Sequence, residues 1–378
     1  MPAFFADCRL YFGATGLVTI LLTAAIHRWP KAFAGLERNE VLNGLLLFGL
    51  VLLPLLYLEL ASPSTRAMNK TSIFIPDAER GWKYKPGMSG EWGGVPVRIN
   101  SQGYRGPVIP YAKPAGQVRI LFLGDSITFG YRIERDQDTI PAQVEANLQN
   151  HTGRPITAIN AGVGGYSPWQ EWIQLQSEGL RYDPDWILLS FVLNDVTEKI
   201  RLVQFGGKDR GYQLSQNING MLDHSNFYFF LTRKLLPTLV LGIQTRQGAV
   251  EKELQFGQSL VLDADSPQIQ ALWDITLANM EKIITLCQRE NKKIGLILFP
   301  YTFQIVNADT MNQPQEVVIA FAAKHGVPVL DLLPLYAEKF TAEPILMDDL
   351  FFDDNHPTAA GAQAAAEWIA AWLEPQLD

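Results

Sequence analysis

A serine follows directly after a buried-strand pattern, in the stretch Gly124-Asp125-Ser126. The preceding run, residues 118–123, is mostly apolar and ends at a glycine, which is typical of a strand in a parallel sheet. Such a strand delivers the next residues to the carboxyl edge of the sheet, where ligands of α/β proteins bind. At the start of a helix, the Ser126 hydroxyl is exposed and its N–H lies among unpaired amide donors. These features suit an acyl-transfer nucleophile; the alternative is that Asp125 and Ser126 only cap a helix.

A histidine near the C-terminus can act as the base that such a serine needs. It ends the run Asp353-Asp354-Asn355-His356, so a carboxylate lies three residues before the imidazole. A turn of that length lets the carboxylate fold back and hold the ring. The spacing therefore predicts His356 as the general base and Asp353 as the group that orients it.

Two further stretches place hydrogen-bond donors after predicted strands. The glycine-rich loop 160–165 follows a short strand, and Asn194-Asp195 follows the apolar run 186–193. Ester cleavage by a serine requires donors for the oxyanion that forms at the carbonyl oxygen. We predict that the N–H groups of Ser126 and Gly165 and the side-chain amide of Asn194 supply them.

Strand and helix patterns alternate from residue 118 to the C-terminus. This alternation predicts an α/β domain in which a parallel sheet carries helices on both faces. The predicted strands are 118–123, 156–159, 186–193, 294–299 and 327–330, and the predicted helices include 140–148, 169–176, 272–286, 317–323 and 358–373. Each candidate chemical group is then predicted to lie where a parallel strand ends, with Asp353 and His356 following Phe351-Phe352.

The four motifs together resemble those of the SGNH (GDSL-type) hydrolase superfamily, in residue type and in chain order. The resemblance runs from residue 118 to the C-terminus and departs at Val192, where the family usually has glycine two residues before the asparagine. It implies a three-layer SGNH-hydrolase-like fold with a Ser-His-Asp acyl-enzyme mechanism. In that mechanism Ser126, His356 and Asp353 are catalytic, Ser126, Gly165 and Asn194 form the oxyanion hole, and neither cofactor nor metal is required.

Composition excludes several other classes of protein. The chain has 378 residues, a net charge of −8 and two cysteines. No long basic tract is present, so nucleic acid is not an expected partner. The two cysteines provide neither a disulfide framework nor a cysteine metal site. An acidic run at Asp348, Asp349, Asp353 and Asp354 offers oxygen ligands, but its spacing is not that of an EF-hand loop.

Two uncharged stretches near the N-terminus have the length of spanning helices. Residues 10–26 and 41–58 carry no charge over 17 and 18 positions, close to the minimum for crossing a bilayer. We predict a membrane hairpin in residues 1–62; the alternatives are a signal-peptide core for the first stretch and buried globular helices for both. Arg28, Lys31 and Arg38 in the short connecting loop place that loop in the cytoplasm, against the opposing charges Arg66 and Lys70. The rest of the chain then lies outside the bacterial inner (plasma) membrane.

Two other segments flank or interrupt the α/β pattern. Residues 63–117 are polar and rich in glycine and proline, with aromatics between turns, and predict a β-rich linker arm. The arm contains Gly81-Trp82 and the stretch 99–106, and we expect its aromatics to pack on the main domain; the alternative is that they bind sugar. An insertion at about 200–265 breaks the rhythm of the catalytic domain 118–378 and is expected to cover the site or lie on the membrane surface.

These features predict a membrane-anchored serine esterase or O-acyltransferase acting on small acyl esters of cell-envelope carbohydrate. Similar membrane-anchored proteins with such an arm occur with polysaccharide O-acylation systems, which implies a membrane-bound O-acyltransferase as a partner. A lipid esterase is the second enzymatic reading. A non-catalytic scaffold that binds polysaccharide or an acyltransferase is the third.

Overall fold

The computed structural model describes residues 73–196, 246–342 and 344–377, with a few isolated positions before residue 60. The chain divides into two compact units, 1–70 with 208–249 and 71–207 with 250–378. Apart from those isolated positions, the predicted hairpin with helices at 10–26 and 41–58 lies outside the described residues. Among the residues that are described, no helix is both long and apolar enough to cross a membrane.

Five parallel strands form the central sheet of the second unit. In chain order they are β5 (Val118–Leu123), β6 (Ile156–Asn160), β7 (Trp186–Phe191), β8 (Lys293–Leu298) and β9 (Val329–Asp331). Their order across the sheet is β6-β5-β7-β8-β9. The chain therefore moves to one side of β5 for β6 and to the other side for β7. This reversal creates a crevice between the carboxyl ends of β5 and β7, which is where doubly wound sheets bind ligands.

Helices cover both faces of this sheet, as the α/β prediction requires. All six residues of β7 are buried, and side chains at odd separations along a strand point to opposite faces. Trp186 packs near Trp372, whereas Phe191 stacks on Trp273. The helices that carry these two tryptophans therefore lie on opposite faces. The main helices are α2 (Ile140–Thr152), α3 (Pro168–Ser177), α5 (Pro267–Arg289), α7 (Gln313–Lys324), α8 (Leu333–Ala342) and α10 (Ala359–Leu373).

Short helices and a longer one complete the described part of the unit. Three single-turn helices, α1 (Ser126–Phe129), α6 (Thr302–Ile305) and α9 (Met347–Leu350), lie in loops between the main elements. Of the insertion predicted at about 200–265, residues 200–245 are not described, and α4 (Arg246–Leu262) lies in its C-terminal part. Its predicted role over the site or on a membrane stays a prediction.

Two β-hairpins form the segment before the first strand of the sheet. They pair β1 (Phe74–Asp77) with β2 (Gly81–Tyr84) and β3 (Ser89–Trp92) with β4 (Val95–Arg98). Their apolar side chains share a second small core with three residues of the main domain, Phe129, Val163 and Tyr166. The arm therefore packs directly on the turn that follows Ser126 and on the glycine-rich loop.

A buried arginine after the hairpins ties the arm to the nucleophile turn. The Arg105 side chain is almost fully buried and donates to the carbonyl oxygens of Gly130 at 2.8 Å and Ile133 at 2.6 Å. It also pairs with Asp136 at 2.8 Å. A guanidinium has five donors in a rigid fork, so one residue can hold several loop carbonyls at once.

Candidate active site

The turn after β5 presents Ser126 at the carboxyl edge of the sheet. Asp125 caps helix α1, accepting from the Ile127 N–H at 2.9 Å. Gly124 has to lack a side chain, because an added Cβ would lie 2.9 Å from Ser190 Cβ and overlap the Thr128 side chain. The close fit of glycine, cap and helix therefore fixes the backbone on which the Ser126 hydroxyl is mounted.

Ser126, His356 and Asp353 form a continuous hydrogen-bonded chain. Ser126 Oγ lies 2.9 Å from His356 Nε2, and His356 Nδ1 lies 2.8 Å from Asp353 Oδ1. Since a carboxylate only accepts, the Nδ1–H donates to Asp353 and leaves Nε2 to accept the serine proton. The same Asp353 oxygen accepts from the His356 N–H at 3.0 Å, which closes the turn between the two residues.

The histidine keeps Asp353 ionised. Burial alone raises the pKa of the Asp353 carboxyl, but the hydrogen bond and charge of His356, with backbone N–H donors, outweigh it and hold the pKa below its usual value. A negative carboxylate stabilises the imidazolium that forms when His356 takes a proton. The electrostatics of the turn therefore favour proton transfer from Ser126.

An aromatic ring fixes the imidazole from the side. The ring of Tyr131 lies against His356, with centroids 4.5 Å apart and planes at 52°. Trp92 of the arm packs edge-on against Tyr131 at 4.8 Å. Sequence reasoning missed both residues, since nothing in their local pattern indicates that Tyr131 contacts a histidine more than 200 positions away or that Trp92 contacts Tyr131.

The predicted oxyanion donors converge on the same cleft. Gly165 takes a φ of +75°, a conformation that favours glycine, and lines the cleft together with Ser126 and Asn194. Asn194 lies in a 3-10 turn directly after β7 and donates to Asp125 Oδ2 at 3.2 Å. An amide nitrogen carries two hydrogens and can donate two hydrogen bonds.

The departure at Val192 leaves this arrangement intact. Val192 adopts an extended backbone with φ −141° and ψ 160°, which any residue can adopt. Its N–H donates to the side chain of Asp195 at 2.9 Å. That bond ends the strand at Phe191, two residues earlier than the sequence pattern predicts, and turns Asn194 toward the cleft.

The cleft has a volume of about 300 Å³ and holds all five predicted site residues. Sequence reasoning had not assigned the other lining residues to the site. Among the residues that the structure describes, the lining consists of Trp92, Ser126, Tyr131, Gly165, Asn194, Tyr301, Asp353, Asp354, Asn355 and His356. Within the described ranges, no three histidine, cysteine or acidic side chains are grouped as a metal site would need.

A fully buried carboxyl lies close to the site. Both oxygens of Glu171, on α3, lack a hydrogen-bond partner among the described residues. Burial, together with the nearby charges of Asp195 and Asp125, raises the pKa of the Glu171 carboxyl well above its usual value. Burial and these two charges therefore favour the neutral form of the carboxyl.

Comparison with known families assigns this site to a class of enzyme. A model of the GDSL-like lipase/acylhydrolase family matches residues 122–364, from the nucleophile strand to beyond His356. The chain belongs to the GDSL-like lipase/acylhydrolase family. Its predicted membership of the SGNH (GDSL-type) superfamily is confirmed, and the family is one of ester-hydrolysing enzymes.

Solved structures of other esterases are similar to this GDSL-like chain. A two-domain esterase active on acetylated mannans, crystallised with mannopentaose, is 17% identical with a TM-score of 0.39, covering 69% of this chain and 50% of that one. An acetylxylan esterase from Geobacillus stearothermophilus is 17% identical with a TM-score of 0.41, covering 67% and 93%. A lipase/acylhydrolase from Enterococcus faecalis is 17% identical with a TM-score of 0.40, covering 69% and 97%. This chain thus spans half the length of the mannan-active esterase, and no curated protein matches it.

Proposed function

We propose that this protein is a serine esterase that removes small acyl groups from carbohydrate. The observation that carries the proposal is the chain from Ser126 Oγ through His356 to Asp353, with contacts of 2.9 and 2.8 Å. These three residues line a cleft that Gly165 and Asn194 also line. Ester cleavage by a serine requires a hydroxyl, a base that is held in position to take its proton, and hydrogen-bond donors for the oxyanion.

The reaction begins with attack by Ser126. His356 Nε2 accepts the hydroxyl proton as Ser126 Oγ bonds to the ester carbonyl carbon. The oxyanion accepts from the N–H groups of Ser126 and Gly165 and from the Asn194 amide. Collapse of this intermediate expels the alcohol, which takes the proton from His356 and leaves an acyl-serine. Water, deprotonated by His356, then attacks the acyl-serine and releases the acid and free Ser126.

The size and lining of the cleft support a short acyl group on a sugar. About 300 Å³ is at the lower end of ligand pockets, which run from roughly 300 to 1,000 Å³. The aromatic rings of Trp92, Tyr131 and Tyr301 offer flat apolar faces, and Asp354 and Asn355 add polar groups. Aromatic surface combined with polar groups suits a ring that carries both C–H faces and hydroxyls.

Hydrolysis of short esters by the purified full-length protein tests this proposal. We expect p-nitrophenyl acetate and acetylated xylo- or manno-oligosaccharides to be cleaved, with the rate falling as the acyl chain lengthens. Ser126→Ala should remove the activity. A rate that rises with the length of the acyl chain would favour a lipid esterase instead. If wild type and Ser126→Ala hydrolyse the esters equally slowly, a non-catalytic scaffold is favoured.

The acyl-serine is common to hydrolysis and to transfer, so a sugar hydroxyl can replace water as the acceptor. The membrane hairpin predicted for residues 1–62 motivates transfer, because a simple esterase does not need it. Mass spectrometry of products formed from a labelled acetyl donor and sugar acceptors decides between the two. Labelled oligosaccharide supports transfer, and labelled acetate alone, across several acceptors, contradicts it.

We further propose that the hairpin anchors the esterase with its catalytic domain outside the cytoplasm. The basic loop with Arg28, Lys31 and Arg38 supports this orientation, since short basic loops stay in the cytoplasm. A C-terminal alkaline phosphatase fusion should be active in cells. An inactive phosphatase fusion with a fluorescent C-terminal green fluorescent protein fusion would place the serine in the cytoplasm.

A further inference from the structure

The position of one glycine peptide decides whether the proposed oxyanion hole is preorganised. The N–H of Gly165 belongs to the planar unit that also contains the Gly164 carbonyl. Because glycine lacks a side chain, Gly164 and Gly165 themselves do little to restrict the rotation of this peptide unit. Catalysis by an oxyanion hole depends on donors that are fixed before the reaction begins. Contacts from outside the loop must therefore set the orientation of this peptide.

Strand β2 of the arm provides those contacts from two residues on the same face. Trp82 Nε1 donates to the Gly164 carbonyl oxygen at 2.9 Å. Tyr84 Oη accepts from the Gly164 N–H, also at 2.9 Å. Both backbone polar groups of Gly164 are thus held by alternate side chains of one strand, as the two-residue period of a strand allows.

The bond from Trp82 has a direct geometric consequence. In a trans peptide the C=O and N–H groups point in opposite directions. Holding the Gly164 carbonyl on the side of the arm therefore directs the Gly165 N–H away from the arm, and Gly165 lines the catalytic cleft. The tryptophan fixes the plane of the donor without touching the reacting atoms.

Neighbouring aromatic side chains hold Trp82 and Tyr84 in these contacts with Gly164. Tyr166 Oη donates to the Trp82 carbonyl at 2.6 Å, so the loop holds the strand in return. The indole of Trp92 occupies the space that a Cβ on Gly164 would need. The side chains of Tyr84 and Tyr166 are almost fully buried, at 1% and 2% exposure. Buried rings in fixed contacts leave the loop little room to move.

We infer that Trp82 and Tyr84 are positioning residues of the esterase, which orient the Gly165 N–H, and that the arm is thereby part of the catalytic unit. The inference rests on the proposed function, because it assigns Gly165 as an oxyanion donor. It also gives the arm a role in catalysis instead of a role as a linker alone.

Four conservative variants of the full-length protein test the inference with p-nitrophenyl acetate. Trp82→Phe removes the donor to Gly164, and Tyr84→Phe removes the acceptor. Trp169→Phe is the matched control for the first, since Trp169 is buried and its Nε1 has no partner among the described residues. Tyr104→Phe is the control for the second, because this buried arm hydroxyl contacts Glu178 at 3.5 Å and not the loop.

The expected result is a loss in kcat without a loss in substrate binding. Removing one oxyanion donor outright costs roughly 100- to 1,000-fold in kcat, so misdirecting one should cost about 10-fold, with KM changed by less than about twofold. The two controls should keep kcat within about twofold even where their Tm falls. A loss of kcat that follows Tm across all four variants, or an unchanged kcat in Trp82→Phe and Tyr84→Phe, overturns the inference.

Wild type and Ser126→Ala are measured first, which separates this inference from the proposed function. If wild type hydrolyses the ester no faster than Ser126→Ala, the proposed function fails and the inference fails with it. If hydrolysis depends on Ser126 but Trp82→Phe is as active as Trp169→Phe, only the inference is wrong.

Discussion

Replacing Asp353 by asparagine separates the charge of the orienting residue from its geometry. One oxygen of Asp353 accepts from the ring and the backbone N–H of His356 at 2.8 and 3.0 Å and from the Asn355 N–H at 3.3 Å. An asparagine carbonyl can accept the same three bonds, so Asp353→Asn should fold normally. It removes the negative charge that stabilises the imidazolium.

The size of the effect follows from the hydrogen bond that changes. A charge-assisted hydrogen bond is worth about 1.5–3 kcal/mol and a neutral one about 0.5–1.5 kcal/mol. The difference of about 1–1.5 kcal/mol predicts a loss of roughly 5- to 15-fold in kcat while the ring keeps its tautomer. If the asparagine turns its NH₂ to the ring, the tautomer is wrong and the loss rises to about 10⁴-fold.

The neighbouring Asp354→Asn is the matched control, because Asp354 lines the same cleft and has the same kind of side chain one residue further along the chain. Steady-state hydrolysis of p-nitrophenyl acetate and the Tm of each variant are the measurements. We expect Asp354→Asn to keep kcat within about threefold, since it leaves the hydrogen-bonded chain from Ser126 through His356 to Asp353 in place. A greater loss in Asp354→Asn than in Asp353→Asn would refute the assignment of Asp353.

Three further outcomes follow from the same contacts. Ser126→Ala, His356→Ala and the double variant should each lose about 10³-fold or more in kcat, because the two residues act as one unit; a double variant far worse than either single would contradict the pairing. Arg105→Lys should lower the free energy of unfolding by about 2–4 kcal/mol in denaturant titrations, since lysine cannot satisfy the loop carbonyls that Arg105 holds; an unchanged midpoint would contradict this. Glu171→Gln should stabilise the fold increasingly as pH rises above 4.5, the usual pKa of the carboxyl, because the raised pKa in the fold makes ionisation unfavourable there; a gain seen only below that pH would be the wrong sign.

The catalytic groups could be predicted because their signals are local. Ser126 follows an apolar strand and a glycine, and Asp353 precedes His356 by three residues, so each pattern fits within a few positions. A parallel sheet then brings the ends of β5, β6 and β7 to one edge. The prediction that Asp353 and His356 also follow a strand of this sheet is wrong, since they lie between helices α9 and α10. The five residues predicted from these patterns line one cleft; their catalytic roles stay predictions.

The supporting residues could not be predicted, because their contacts are not local. Trp82 and Gly164 are 82 positions apart in the chain. Tyr131 packs on His356, which follows it by more than 200 residues. Their sequence neighbourhoods indicate only turns and aromatics. The sequence pattern also predicts the end of β7 two residues too late. A hydrogen bond from the Val192 N–H to Asp195 ends this strand, and hydrophobic periodicity does not indicate such a bond.

The nature of the nucleophile is tested most directly by covalent labelling. A fluorophosphonate probe, incubated with the full-length protein in detergent and followed by peptide mass spectrometry, reports which serine is activated. We predict one adduct, on the peptide that contains Ser126, which is absent in Ser126→Ala and strongly reduced in His356→Ala. An adduct on a different serine, or no adduct on the folded protein, would contradict the assignment of this cleft as a serine-esterase active site.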